Sequence, residues 1–385
     1  MRVLEQIDAK RQSLRADIET LVDTVSPVAR SLELDKNKLF DEELRKAITA
    51  AGILGLGTPE AKGGSGGNTV DQVIALEVLG RKSASMAVFC VVGFLVTRLL
   101  REFGSAEMRE SLLKPVIRGE KQASFCLTEA GGGTDILANT KTTGIRNDDG
   151  WRLDGEKTWV SGAADCDVLL VVARTSEHRT RGLTLFAVPS VAAGVKVERL
   201  HTMALNSYPS CVVTLSGVEV PASAVVGEVD GALKQIMTAL NGERINAAAV
   251  TNGVARGALE VALEYARSRE AFGKPLGQFQ AVQHRLAACA VSIELAWSAV
   301  VEAAKRDASG DETDVASGLA KWASSKAALA ATDVGMEVMA SSGFLEEGLM
   351  QRYFRDARLH VFAPVNNDMI LNLLGERWLN LPRSY

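Results

Sequence analysis

The stretch from Phe125 to Ala163 carries residue types that suit a flat, conjugated ligand. An apolar run ends in Thr128, three glycines follow, and the stretch closes on Trp159-Val160-Ser161. Glycines let a backbone approach a ligand closely, hydroxyls add hydrogen bonds, and an indole offers a flat face. From these residues alone, a Gly-rich hairpin loop beside a core tryptophan is an equally good interpretation.

Three segments, in this order along the chain, resemble the acyl-CoA dehydrogenases. The first is Phe125–Asp135 with Trp159–Ser161, the second runs from Tyr265 to Gln280, and the third is Arg355-Asp-Ala-Arg358. Because they lie in the family's order, the resemblance extends over nearly the whole chain. The resemblance implies an FAD enzyme in which a carboxylate base removes the α-proton of an acyl thioester and the β-hydride passes to flavin N5.

The resemblance also implies which residues bind FAD. One set supplies backbone and hydroxyl contacts and flanks the ring: Phe125, Leu127, Thr128, Gly133, Thr134, Trp159, Val160 and Ser161. A second set comes from the C-terminal part of the chain: Arg269, Phe272, Gln280, Glu337, Ser341, Asn366 and Asp368. Arg269, Phe272 and Gln280 match residues that reach the FAD of a neighbouring subunit, which implies a homodimer or homotetramer. A surface ion pair for Arg269 and a core ring for Phe272 are the alternatives.

The catalytic base departs from the usual family pattern. In many members it is a Glu in the loop that follows the third segment, and an ungapped alignment puts Pro364 at that position. That Glu also gives its N–H to the thioester oxygen, and proline has none. Some members carry the base on the first long C-terminal helix before an Arg, which here is Glu243-Arg244. We therefore predict Glu243 as the base, against the alternative of an exposed Glu in an ordinary intrahelical ion pair.

Three residues are predicted to contact the substrate by the same resemblance. Asn241 and Arg244 match positions that meet the ribose or phosphates of CoA, and Thr134 of the first segment is the third. The alternatives for function are a carrier-protein thioester in place of CoA, and a flavin-binding relative that has lost the activity. The electron acceptor is expected to be an electron-transfer flavoprotein or oxygen.

Composition narrows the class of protein. A net charge of -4 without a basic cluster argues against nucleic-acid and anionic-membrane partners. The cysteines are dispersed, with no C-x-x-C pair, so neither a disulfide framework nor a metal site is expected. The N-terminus has no signal-peptide h-region, and the longest apolar run is too short to cross a bilayer. We expect a cytoplasmic protein.

Hydrophobic periodicity predicts an α+β fold of the acyl-CoA dehydrogenase type in three domains. Residues 1–120 are helical, residues 121–226 form a small β domain, and residues 227–385 form a bundle of four long helices. Residues 83–103 are apolar all round, which predicts a buried helix. Gly63–Asn68 is predicted to be a loop before a helix capped by Asn68 or Thr69, and Asn147–Gly150 a hairpin turn.

Overall fold

An eight-stranded sheet lies between two groups of helices along the chain. The computed structural model describes residue 4 and residues 7–178 and 181–384. The first group of helices is α1 Ala9–Val25, α2 Val28–Asn37, α3 Glu42–Ala50, α4 Thr69–Lys82, α5 Ala84–Phe103, α6 Ala106–Met108, a π-helical turn Arg109–Leu113, and α7 Lys114–Ile117. The predicted succession of helical, β and helical regions is confirmed.

Local sequence explains where α4 and α5 begin and why α5 is buried. Asn68 caps α4: its side chain accepts the N–H of Val70 at 2.9 Å, while the Asp71 carboxylate accepts the N–H of Asn68 at 2.8 Å. By length and composition, α5 and α10 (Gln280–Ser309) could each span a membrane. In the protein, however, 78% of the 18-residue apolar stretch of α5 is buried, so α5 is a core helix as predicted.

The middle sheet brings together Phe125–Asp135 and Trp159–Ser161, the two halves of the first segment. Its strands are β1 Ala123–Cys126, β2 Thr143–Arg146, β3 Gly150–Ser161, β4 Val168–Arg174, β5 Leu183–Pro189, β6 Val195–Arg199, β7 Ser210–Pro221 and β8 Val225–Val226, with a short helix α8 Ile136–Asn139. Their order is β6-β7-β3-β2-β4-β5-β8, and β1 pairs with β4 in parallel. The predicted turn joins β2 to β3, where the N–H of Asn147 donates to the carbonyl of Gly150 at 3.0 Å.

Helices return after the sheet and fill the rest of the chain. They are α9 Ala232–Ser268, α10 Gln280–Ser309, α11 Asp314–Met339, α12 Leu349–Leu359 and α13 Asn367–Arg377; a small hairpin, β9 Glu270–Ala271 with β10 Lys274–Pro275, joins α9 to α10. The expectation of four long helices needs correction, because two 11-residue helices follow the three long ones. Gly343 and Gly348 precede α12, and Pro364 interrupts the chain before α13, since proline cannot continue a helix.

Helices α4 and α9 approach to backbone contact. A Cβ on Gly253 of α9 would lie 2.2 Å from the carbonyl oxygen of Glu77, and one on Gly80 of α4 would lie 2.4 Å from that of Val250. Next to this contact, the buried Arg256 guanidinium binds Glu77 at 2.8 Å and Glu294 at 2.9 Å. One hydrophobic core therefore includes residues of both helical regions.

The α4–α9 contact predicts unequal effects of two glycine substitutions. Gly253→Ala should lower the free energy of unfolding by about 1–3 kcal/mol, because the methyl group would collide with the backbone. Gly318→Ala in α11 is the matched control: its Cβ would meet only side-chain carbons at 3.4 Å or more, so helix propensity should leave it neutral or stabilising by up to about 1 kcal/mol. Urea unfolding of both variants measures the difference, and equal midpoints would contradict the close approach.

Candidate active site

The two halves of the first flavin segment meet at one end of the sheet. The hydroxyl of Ser124 donates to the carbonyl of Ser161 at 2.9 Å, and the N–H of Thr158 donates to the carbonyl of Thr128 at 2.9 Å. Residues 125–128 and 159–161, which lie about 30 positions apart in sequence, are thus held side by side. The predicted residues Leu127 and Val160 are buried here, whereas Phe125, Thr128 and Ser161 are partly exposed.

A β-bulge turns Trp159 out of the sheet. Against β7, Lys157 pairs with Val213 and Val160 pairs with Cys211, so β3 holds one residue more than its partner over this step. Trp159 adopts a φ of 59° and its side chain is 60% exposed, whereas the next residue, Val160, is 1% exposed. A non-glycine residue with positive φ is uncommon, and bulges often re-aim a side chain next to a functional site.

A buried ion pair fixes the start of the glycine-rich loop. The Glu129 carboxylate accepts the ammonium of Lys157 at 2.8 Å, the hydroxyl of Thr142 at 2.7 Å, and the N–H groups of Lys141 and Thr142 at 2.7 and 2.9 Å. Lys157 also donates to the carbonyl of Leu127 at 3.1 Å. Burial alone would raise the pKa of Glu129, but Lys157 and the N–H donors hold it below its ordinary value. Glu129 thus joins the start of the loop to β3 through Lys157, and it holds the end of the loop at Lys141 and Thr142.

The glycine-rich loop that follows Glu129 is uncrowded and leaves room for a flat cofactor. Gly133 and Thr134 are exposed, and a Cβ on Gly131 or Gly133 would meet no atom within 4 Å. An exposed indole on a fixed strand, hydroxyls at Thr128 and Thr134, and an uncrowded glycine loop are the groups that an isoalloxazine with its pyrophosphate chain requires. The residues present therefore fit FAD.

The predicted subunit-crossing residues lie on the surface of this chain. Arg269 is exposed after α9, Gln280 is exposed at the start of α10, and Phe272 in the hairpin between them is 97% exposed with a φ of 53°. Among the described rings, Phe272 pairs with Phe279 in an edge-to-face arrangement, with 6.3 Å between centroids. The alternative of a core position for Phe272 is therefore wrong, and the described ion pairs include none for Arg269.

The remaining predicted FAD residues are spread over the C-terminal helices. Glu337 of α11 forms an ion pair with Arg285 of α10, and Ser341 is exposed after α11. Asn366 caps α13 by accepting the N–H of Asp368 at 3.0 Å, and the Asp368 side chain is exposed. Within the described chain, none of these four side chains forms a hydrogen bond with residues 125–161. Their contact with FAD stays a prediction.

Glu243 lies on the wall of a cavity of about 300 Å³ between the start of α4, helix α5, helix α9 and the end of α10. It is half-buried, and across the described residues no side chain forms a hydrogen bond or ion pair with its carboxylate. Burial raises the pKa of Glu243 to about 7, although the neighbouring Arg244 acts in the opposite direction. The alternative of an exposed, intrahelically paired Glu is therefore wrong.

Charged residues that the sequence reasoning did not single out line the same cavity. Arg98 of α5 binds Asp307 of α10 at 3.1 Å and Glu102 at 3.3 Å, and the hydroxyl of Thr69 donates to Asp307. The available signal was Arg98 itself, because a charge within an otherwise apolar buried helix needs a partner or a function. Asp307 gave no signal, since it resembled an ordinary polar turn residue.

The two predicted CoA ligands on α9 bind each other. The Arg244 guanidinium donates to the side-chain carbonyl of Asn241, whose amide donates to Asp314 of α11 at 2.8 Å. Arg244 is 3% exposed, and burial lowers its pKa from the ordinary value. The pair is thus fixed in place on the face of α9 next to α11, and its role toward CoA stays a prediction.

The loop at Pro364 leaves few backbone donors for a ligand. The N–H groups of Phe362 and Ala363 both donate to the carbonyl of Leu359, at 3.1 and 3.0 Å, and proline has no N–H. For the N–H groups of Val365 and Asn366, the described residues offer no acceptor. Nearby, the buried Lys321 ammonium donates to the carbonyl of Val361 at 3.2 Å and to Asn367 at 2.7 Å, which holds the loop against α11.

Comparison with known proteins gives one consistent family. Family models described as the N-terminal, middle and C-terminal domains of acyl-CoA dehydrogenase match residues 8–120, 124–218 and 231–379. Acyl-CoA dehydrogenase FadE12 of Mycobacterium tuberculosis is 30% identical over 98% of this chain and 97% of its own. Benzylmalonyl-CoA dehydrogenase of Aromatoleum aromaticum is 33% identical over 90% and 91%. The structure of butyryl-CoA dehydrogenase from Megasphaera elsdenii superimposes with a TM-score of 0.93 at 28% identity, covering 97% and 99% of the two chains.

The bulge predicts that Trp159 serves the cofactor and not the fold. Trp159→Gly should change the free energy of unfolding of the FAD-free protein by less than about 1 kcal/mol, because relief of the positive φ offsets the greater freedom of glycine. The dissociation constant of FAD should rise about tenfold or more, since an aromatic contact is lost. Trp378→Gly removes a similarly exposed indole outside the segment and should leave FAD binding unchanged. Fluorescence titration with FAD measures both, and equal affinities for wild type and Trp159→Gly would contradict the assignment.

Proposed function

The chain belongs to the acyl-CoA dehydrogenase family, and from this premise we propose that Glu243 is the base that removes the α-proton of its acyl thioester substrate. Membership makes the protein an FAD-dependent oxidoreductase. Bound FAD supplies the acceptor for the β-hydride. The residues of the chain hold the flavin, orient the thioester and take one proton.

The unpartnered carboxylate of Glu243 is the observation that carries the proposal. A thioester α-carbon is a weak acid, so its base must be poorly solvated and free to take a proton. Glu243 lies on a cavity wall without a partner among the described residues, and its raised pKa of about 7 places its titration near neutral pH. A base with a pKa near the working pH combines an ionised fraction with strong basicity.

Proton removal also builds negative charge on the thioester oxygen. Preorganised N–H donors stabilise such charge most effectively. We assign this role to the N–H of Val365 or Asn366, because Pro364 has none and the N–H groups of Phe362 and Ala363 already donate to Leu359. In this assignment the base and the donor come from different elements, α9 and the loop before α13.

The flavin is held by the sheet and, as we propose, by a second subunit. Thr128, Thr134 and Trp159 of one chain meet the cofactor, and the exposed Arg269 and Phe272 reach the cofactor of the neighbouring chain. CoA is the proposed carrier, with Asn241 and Arg244 near it; a carrier-protein thioester would undergo the same chemistry. We propose an electron-transfer flavoprotein as the acceptor, with oxygen as the alternative.

Glu243→Gln is expected to slow anaerobic flavin bleaching by an acyl-CoA by about 10²–10⁴-fold while FAD stays bound, because the amide keeps the shape and loses the basic oxygen. In the wild type, the bleaching rate should rise with pH through about 7 and then level off, since the base is active only when ionised. That step should be absent in Glu243→Gln. Stopped-flow absorbance across the pH range measures both effects.

Two further variants control this prediction. Glu243→Asp keeps a carboxylate on a shorter arm and should retain part of the rate. Asp368→Asn changes an exposed acid at the start of α13 that is also a predicted FAD contact, so it is assayed with saturating FAD and should then bleach at the wild-type rate. Wild-type bleaching by Glu243→Gln together with a slow Asp368→Asn would move the base to the loop. If no thioester bleaches the wild-type flavin, the protein is a flavin-binding relative without the activity.

Arg269→Ala is expected to weaken FAD retention and subunit association together, because one exposed guanidinium is proposed to meet the pyrophosphate of the neighbouring cofactor. Arg267→Ala removes an equally exposed guanidinium two residues earlier, outside the proposed contact, and should alter neither property. Light scattering coupled to gel filtration, with flavin absorbance, reports both. If Arg269→Ala alters neither the flavin content nor the subunit association, Arg269 is not part of the cofactor site.

A further inference from the structure

Asn246 is a second polar group without a partner on the wall of the Glu243 cavity. It lies one helical turn beyond Glu243 on α9, is 4% exposed, and its side-chain oxygen is buried without a hydrogen bond. Within the described residues, no donor or acceptor serves its amide. A buried amide left unpaired is costly, so its retention on a cavity wall indicates a ligand group.

The other polar side chains of the cavity wall already have partners. Arg98 binds Asp307 and Glu102, Arg101 binds Glu102 at 3.0 Å, and Gln72 donates to the carbonyl of Leu56 at 2.7 Å. Asn68 caps α4. Among the described polar side chains of the wall, only Glu243 and Asn246, both from α9, form no hydrogen bond or ion pair. A ligand in the cavity would therefore find its free hydrogen-bonding partners at those two residues.

We propose that Asn246 binds a neutral hydrogen-bonding substituent on the acyl chain, so that the substrate class is a polar acyl thioester and not a plain aliphatic one. This inference rests on the proposed function, because Glu243 fixes where the α-carbon lies. Residues three apart on a helix have Cβ atoms about 5–6 Å apart, so Asn246 meets the acyl chain about that far beyond the α-carbon. An amide, which both donates and accepts, complements the Asn246 side chain.

Charge on the wall separates a neutral substituent from an anionic one. Two guanidinium groups, Arg98 and Arg101, face two carboxylates, Glu102 and Asp307, and these four are paired with one another. Glu243 adds a further acid. An acyl chain ending in a carboxylate would find no unpaired cation there and would be repelled by the ionised base. The charges on the cavity wall therefore favour an acyl chain that carries an uncharged polar group.

Three thioesters of nearly equal shape test the inference. Glutaramyl-CoA ends in an amide, glutaryl-CoA in a carboxylate, and 5-methylhexanoyl-CoA in a branched hydrocarbon. The concentration dependence of anaerobic bleaching of the FAD-bound enzyme gives a dissociation constant and a limiting rate for each. Calorimetric titration with the corresponding α,β-unsaturated thioesters gives affinities that do not depend on turnover. We expect the amide to bind about tenfold or more tightly than the hydrocarbon.

Asn246→Leu should abolish that preference, because leucine has a similar volume and no hydrogen-bonding group. Asn246→Ala serves if the leucine variant loses FAD. Asn372→Leu removes a partly exposed amide on α13, away from the cavity wall, and should keep the wild-type preference. The ratio of the dissociation constants for the amide and the hydrocarbon, compared within Asn246→Leu, separates a binding role from a structural one, because a general loss of folding would weaken both thioesters alike.

The outcomes distinguish the two proposals. Preference for the amide that disappears in Asn246→Leu supports the inference. Preference of the wild type for the hydrocarbon, unchanged in Asn246→Leu, overturns it while leaving Glu243 in place. Preference for glutaryl-CoA overturns the neutral assignment. Absence of bleaching with all three thioesters overturns the proposed function, and the calorimetric titrations then still decide whether Asn246 selects the amide.

Discussion

The close contact between α4 and α9 is the constraint on which the rest of the structure depends. Gly80 and Gly253 bring the two backbones together, and Arg256 ties both helices to α10. Glu243, Asn246, Val250 and Gly253 follow one another at helical spacings of three and four, so they share one stripe of α9. The stripe that packs on α4 at Gly253 therefore becomes the cavity wall at Glu243. Helix packing and the position of the site are a single feature.

An unpaired acid in that position is costly to the fold. The pKa of Glu243 rises from the ordinary 4.5 to about 7, so between these values the folded chain holds a proton that the unfolded chain has released. The contribution of Glu243 to stability therefore falls as pH rises from about 4.5 and is fully unfavourable above about 7. A group that served only the fold would be paired, as Glu129 is by Lys157. An unpaired acid on a cavity wall therefore supports the role that we propose for Glu243.

Much of this organisation could be predicted from the sequence because it depends on local patterns. The cap at Asn68, the buried helix α5 and the turn at Asn147–Gly150 follow from residue types and periodicity. The cavity depends instead on contacts between distant segments: Arg98 meets Asp307 across 209 positions, which no local pattern specifies. The bulge that exposes Trp159 depends on its register with β7, and the count of long C-terminal helices was wrong where glycines and a proline divide the last segment.

A base on α9, as we propose, changes what the loop must supply. If one loop residue served as both acid and N–H donor, proline could not occupy its position. With the proposed base on a helix fixed by packing, the loop has to offer only a backbone donor, and the N–H groups of Val365 and Asn366, beyond Pro364, are the ones we propose for it. Lys321 holds the loop through Val361 and Asn367, which bracket the proline. Proline at 364 is thus compatible with the proposed mechanism, because the proposed base and the proposed oxyanion donor reside on separately anchored elements.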